Sequence, residues 1–214
     1  MASRRRYDAG AITLLPTVPE KPPPGPRSKR ATRQTLRARR EALGVDERAD
    51  ASARIAAAVN TVLDERLVAG QVLAIYAAKG TEVETAAIAE HAARRGISLA
   101  YPRVVDGARA LTFHEVPAGE LVVAHYGIRE PRADVTPIAL ERIAAFVVPG
   151  LAFDRDGGRI GWGRGYYDVT LAQTPGALRI GIAFDCQLVD HVPRDPHDVP
   201  MNIIITEDAT HVVA

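Results

Sequence analysis

Ten consecutive residues, Arg159-Ile160-Gly161-Trp162-Gly163-Arg164-Gly165-Tyr166-Tyr167-Asp168, hold the densest chemical pattern in the chain. The three glycines alternate, which removes side chains where backbone amides can close around anionic oxygens. Arg159 and Arg164 add positive charge, and Asp168 ends the run with a carboxylate able to hold a metal ion. Together these groups suit a polyphosphate travelling with magnesium. The spacing is neither G-x-x-x-x-G-K-[ST] nor G-x-G-x-x-G, so the common nucleotide motifs do not account for it. Taken alone, the run reads equally as a glycine-rich turn with charged flanks.

Elements on both sides must position this loop. A buried apolar run, Phe146 to Phe153, leads into it through the turn Asp154-Arg155-Asp156-Gly157-Gly158. Asp154 and Asp156 suggest a calcium loop only superficially, because Arg159 stands where such a loop needs its glycine. After the loop, Tyr166 to Gln173 is expected to form a helix whose N-terminal dipole faces the anion. Upstream, Lys29 to Leu43 is a basic helix with Lys29 and Arg33 on one side and Leu36 and Leu43 on the other. Its charges form either a solvated face or a clamp on phosphates.

The remaining pattern alternates between helix and strand. A helix fits Asp46 to Leu67 with Asp46 as its cap; Val72 to Ala78 is apolar on both faces, as a buried parallel strand is. Lys79 to Glu84 is the loop after that strand. Thr85 can cap a helix running to Arg95, and Ile97 to Tyr101 is a second strand, which makes a βαβ unit. Leu111 to Val116 is an edge or hairpin strand, Tyr126 to Pro131 a loop, and Pro137 to Ile143 a short helix. Leu178 to Phe184 and Met201 to Thr206 complete the sheet. The expected fold is α/β, a three-layer sandwich with a mainly parallel sheet flanked by helices. Three polar loops, at Lys79 to Glu84, Asp154 to Asp168 and Gln187 to Asp198, should meet beyond the carboxyl ends of the strands, where such sheets bind ligands.

Composition narrows the classes. With 214 residues, 47% of them apolar, the chain can bury a sizeable core in one domain. A net charge of +1 gives no sign of nucleic-acid binding. The single cysteine, Cys186, excludes an internal disulfide and is expected to be a packed residue. Residues 1–28 differ from the rest: six of the fifteen prolines lie there, with Arg4, Arg5, Arg6, Lys21 and Arg27 outnumbering Asp8 and Glu20. This stretch is expected to be a disordered, Pro-rich basic tail before a single domain over residues 29–214. Its apolar run, Ala11 to Leu15, is too short for a signal-peptide core, so a cytoplasmic location is expected, with no membrane segment.

The chain resembles the 5-formyltetrahydrofolate cyclo-ligase family. The likeness rests on Val148-Pro149-Gly150-Leu151-Ala152-Phe153-Asp154 and the loop from Arg159 to Asp168. Lys29-Arg30-x-x-Arg33, Glu82, Gly127-Ile128-Arg129-Glu130-Pro131 and His197-Asp198 follow in the family's order. The resemblance implies ATP- and magnesium-dependent closure of 5-formyltetrahydrofolate to 5,10-methenyltetrahydrofolate with release of ADP and phosphate. It implies ATP contacts from Lys29, Arg30, Arg33, Arg159, Ile160, Gly161, Trp162, Gly163, Arg164, Gly165, Tyr166 and Tyr167. The folate, in simple or polyglutamylated form, would meet Arg33, Ala77, Glu82, Tyr126, Trp162 and Tyr166. Arg164 and Asp168 would be catalytic, and Asp168 and Asp198 would hold magnesium. A monomer of one-carbon metabolism is implied; a relative that binds folate or nucleotide without ring closure is the alternative. Two positions depart from the family pattern: Asn202 replaces a frequent aspartate, and Val169 a frequent basic residue.

Overall fold

The apolar runs become strands of one seven-stranded sheet in a computed structural model that describes residues 26–124 and 127–213. Residues 1–25 of the expected tail and Tyr126 fall outside the described residues. In chain order the elements are α1 (Pro26–Ala42), α2 (Val45–Arg66), β1 (Val72–Ala74), α3 (Ala86–Arg94), β2 (Ser98–Arg103) and β3 (Thr112–Glu115). Next come β4 (Val122–Val123), β5 (Arg129–Glu130), β6 (Ile143–Pro149), β7 (Ala152–Asp154) and β8 (Arg159–Ile160). The last are α4 (Tyr166–Leu171), β9 (Leu178–Ile182), β10 (Leu188–Val189), β11 (Ile203–Ile205) and β12 (Thr210–Val212).

The main sheet runs β12-β11-β9-β6-β1-β2-β3. Its five inner strands are parallel, and β12 and β3 pair antiparallel at the two edges. Side chains alternate between faces along each strand, so Leu73, Ala145, Val147, Ile180 and Ile203 bury against α2 and α3. Val72, Ala74, Phe146, Val148 and Ile204 bury on the other face, against Leu171 of α4 and Phe153 of β7. A small sheet, β10-β7-β8, carries the turn before the glycine loop, and Leu36 of α1 packs on it with Ala152, Ile160 and Val192. This is the expected three-layer α/β arrangement with helices on both faces.

Several local expectations are corrected. The cap of α2 is Gly44, not Asp46: the Glu47 carboxylate accepts from Gly44 N at 3.2 Å. Thr85 is the N-cap residue of α3, as expected, but its side chain makes no capping bond; its hydroxyl donates to Tyr76 O at 2.8 Å, tying the loop to the end of β1. The helix expected over Pro137 to Ile143 shrinks to a 3-10 turn at Leu140–Arg142, because Ile143 is already in β6. The run from Phe146 to Phe153 breaks at Gly150 and Leu151, and β7 leaves the main sheet for the small one. Part of the expected loop from Tyr126 to Pro131 pairs as β5 with β4, and β12 was not expected. No helix among the described residues is long and apolar enough to cross a membrane.

Candidate active site

The three polar loops do meet, and α1 is the strut that joins them. Arg33 Nε donates to Gly161 O at 2.9 Å, which seats the helix on the glycine loop. One turn earlier, Lys29 Nζ lies 2.6 Å from Asp198 Oδ2 and 2.7 Å from Asp195 Oδ2. About two turns on from Arg33, Arg40 Nε donates to Thr81 Oγ1 at 3.1 Å in the loop after β1. The basic residues of α1 that face the body of the protein therefore touch all three loops in turn, while Arg30, Arg37 and Arg39 are exposed.

Two glycines owe their identity to arginines rather than to an empty cradle. A Cβ on Gly163 would lie 3.2 Å from the Arg33 guanidinium carbon, and its φ is +90°, where side chains are strained. A Cβ on Gly161 would lie 2.7 Å from Arg159 Nη1. Arg159 itself is almost enclosed: Nη2 donates to Asp168 Oδ1 at 2.9 Å, and its guanidinium lies 5.5 Å from the Tyr167 ring centroid. Its Nε is buried without a partner, a donor left over inside the site. Arg164 is exposed and makes no hydrogen bond or ion pair among the described residues.

The expected metal ligands, Asp168 and Asp198, are thus each paired with an expected phosphate-binding cation. Asp198 also accepts from Asp195 N at 2.7 Å, and its ligand atoms lie within 4.8 Å of those of Asp195 and His197. Burial alone would lower the Lys29 pKa, but the bonds to Asp195 and Asp198 outweigh it and raise it. The Lys29 bond in turn holds the Asp195 carboxyl below its usual value. Asn202 is spent in the sheet: its Oδ1 accepts from Arg179 N at 2.9 Å, so the missing aspartate is not a gap in the site. His197 is exposed, and Cys186 is half-buried, with burial pushing its thiol up.

On the other side of the loop is a pocket wall with fewer charges. Glu82 accepts from Lys79 N at 3.1 Å. Burial raises its carboxyl pKa, against the pull of Lys79 N, Arg40 and Trp162. Tyr76 is buried beneath it, donating to Val83 O at 3.0 Å, and burial together with Glu82 pushes its phenol up. Ala77 is half-buried at the same strand end. Tyr166 and Tyr167 of α4 are both half-buried, packed against the core on that face of the sheet. Ile160 is a scaffold residue: its side chain joins the small core, and its carbonyl accepts from Leu151 N at 2.7 Å. At six residues α4 is too short for a large dipole, so the arginines supply most of the positive field.

Sequence reasoning missed four contributors. Asp195 pairs with Lys29, and only its place three residues before Asp198 hinted at this. Asp154 is fully buried, accepting from Gly158 N, Val192 N and Arg194 Nη2, so it locks the turn to the Gln187–Asp198 loop. Arg194 is the third of the four, and it also donates to Asp156 O at 2.7 Å. Arg40 had a signal, since position 40 falls in the inward seam between Leu36 and Leu43.

The chain is an α/β enzyme of the ligase class, and its likenesses extend over most of the described residues. The solved 5,10-methenyltetrahydrofolate synthetase of Aquifex aeolicus superimposes with a TM-score of 0.74 at 26% identity, covering 86% of this chain and 92% of that one. The synthetase of Mycoplasma pneumoniae gives 0.69 at 25% identity over 84% and 98%. The 5-formyltetrahydrofolate cyclo-ligase of Escherichia coli K12 is 30% identical over 178 residues, 80% of this chain and 96% of its own. The mouse enzyme is 28% identical over 196 residues, 85% and 95% of the two chains. The chain belongs to the 5-formyltetrahydrofolate cyclo-ligase family, whose sequence profile matches residues 26–207.

Proposed function

We propose that the protein closes 5-formyltetrahydrofolate to 5,10-methenyltetrahydrofolate at the expense of ATP. The observation that carries this reading is the seating of α1 on the glycine loop through Arg33 and Gly161. It brings Lys29 and Arg33, one turn apart on α1, to the glycine loop that carries Arg159 and Trp162.

Ring closure needs an activated formyl oxygen. The oxygen attacks the γ-phosphorus, the bond to ADP breaks, and the formyl carbon becomes electrophilic. N10 then attacks that carbon and loses its proton, and the C–O bond breaks as phosphate leaves. The protein's task is alignment and charge neutralisation, not covalent chemistry. Lys29, Arg33 and Arg159 would grip phosphate oxygens, and the unpartnered Arg159 Nε is a donor ready for one. Exposed Arg164 would swing onto the transferring group. Glu82 would accept N–H donors of the folate ring, and Trp162 would stack on its face. Asp168 and Asp198 would hold magnesium, and their hard carboxylate oxygens, with solvent on one side, fit that ion. The ion would neutralise charge on the phosphates. A monomer working in the cytoplasm completes the reading, on folates with or without a polyglutamate chain.

The test is direct. Protein, 5-formyltetrahydrofolate, ATP and magnesium are mixed, and the ultraviolet absorbance of the methenyl product is followed together with ADP. Product formed in step with ADP is expected; tight folate binding with no product would sink the reading. A second prediction concerns the loop. Gly163→Ala forces a left-handed backbone and pushes the Arg33 guanidinium aside, so a loss of about 1–2 kcal/mol in stability is expected. A rise of about tenfold in KM for ATP should accompany it. Gly176→Ala, with open space around the added carbon, is the control and should be neutral.

A further inference from the structure

Arg40 is an anomaly in α1. It is 4% exposed, although Arg30, Arg37 and Arg39 are exposed and Arg33 reaches the glycine loop. It sits in the inward seam between Leu36 and Leu43, where an aliphatic side chain would pack without desolvating a charge. No carboxylate lies within ion-pair distance of it among the described residues; its fixed partner is the neutral Thr81 hydroxyl. A cation so placed does little for folding.

Its surroundings show what it does instead. The guanidinium carbon lies 5.9 Å from the centroid of the Trp162 ring, and that of Arg37 lies 5.6 Å away. Trp162 is 56% exposed, and it is the only tryptophan in the chain. Two guanidiniums lie against this exposed ring, and the ring is near enough to Glu82 to pull its carboxyl pKa down against burial. Arg40 bridges both, since it also holds the loop bearing Glu82 through Thr81. A cation against an aromatic face is strongest when desolvated, which is the condition of Arg40 and not of Arg37.

We infer that Arg40 is a positioning residue that sets Trp162 and Glu82 at the angle needed to clasp a flat heteroaromatic ring. Arg40 touches neither substrate: it acts through the tryptophan and the Thr81 loop. The inference rests on the ring-closing reading for the identity of the ring, a folate head group, but the pose of Trp162 is a property of the free protein.

The experiment uses the full chain and the variants Arg40→Met and Thr81→Val. Methionine fills the seam, so the melting temperature of Arg40→Met should hold or rise. Without ligand, its Trp162 fluorescence should become more accessible to acrylamide and lose anisotropy. In turnover, KM for 5-formyltetrahydrofolate should rise about tenfold, while KM for ATP stays within about twofold. Thr81→Val should move the same readouts in the same direction by less. Unchanged quenching and anisotropy in Arg40→Met would overturn the inference, as would equal rises in both KM values with a drop in melting temperature. If the wild-type protein forms no methenyl product, the ring-closing reading fails, and the ligand-free fluorescence comparison still decides the role of Arg40.

Discussion

Asp168→Ala is expected to lower turnover by about 10² to 10³ and to destabilise the protein at the same time. The second effect comes from Arg159, whose side chain is 5% exposed and whose ion-pair partner is Asp168. Removing the acid leaves a buried cation with only the Tyr167 ring and a long contact to Pro149 O. Breaking such a pair from one side costs about 3–5 kcal/mol when fully buried. Asp168 keeps some solvent, so about 2–3 kcal/mol is expected here in urea unfolding. The double variant Arg159→Met, Asp168→Ala removes both charges and should regain most of the stability while staying inactive. Wild-type turnover in Asp168→Ala would take this residue out of the reaction. Undiminished stability would show that the pair contributes nothing to the fold.

Lys29→Ala is expected to act mainly on the nucleotide. Truncating one member of a desolvated charge pair costs about 2 kcal/mol, so KM for ATP should rise roughly 30-fold. The KM for folate should change little, and an effect confined to folate would contradict the assignment. The pair also makes α1 docking sensitive to pH. The Asp195 pKa is held below its ordinary 3.8, so its contribution is present above that value and fades as pH falls through the lower folded one. The Lys29 pKa is raised above 10.5, so its contribution is present below that value and fades as pH rises through the higher one. The melting temperatures of wild type and Lys29→Ala should therefore differ between about pH 4 and 10 and converge only in stronger acid and stronger base. A difference that persists at pH 2 would mean the lysine stabilises the fold by packing alone.

The scaffold was legible because its strands are apolar on both faces. Runs such as Val72 to Ala78 and Phe146 to Phe153 announce a buried parallel sheet. Short pieces were not legible: β4, β5, β8 and β12 are two or three residues each, and a period needs more length to register. Side-chain caps failed for a related reason. Asp46 and Thr85 are good capping types, but Glu47 reached Gly44 first, and Thr85, though at the cap position, gave its hydroxyl to Tyr76 O. In the site, the resemblance picked out Lys29, Arg33, Glu82 and the glycine loop, all of which the fold brings to one edge. It did not reveal which charges face each other. That Lys29 meets Asp198, and Arg159 meets Asp168, depends on how α1 and the small sheet lie in space, which no spacing along the chain encodes.

Those two pairs have a consequence for how ligands load. Before any ligand arrives, Lys29 and Arg159 each already have an internal counter-charge. A bare polyanion that draws Lys29 and Arg159 away strands Asp168, Asp195 and Asp198; a bare dication that draws the carboxylates strands two bases. A ligand carrying both signs lets all these groups change partners in one exchange. On the proposed reading, nucleotide and magnesium should therefore bind with positive coupling, each tightening the other by the same factor, as thermodynamic reciprocity demands. The internal pairs act as an electrostatic double lock that opens to the complex and resists either half of it.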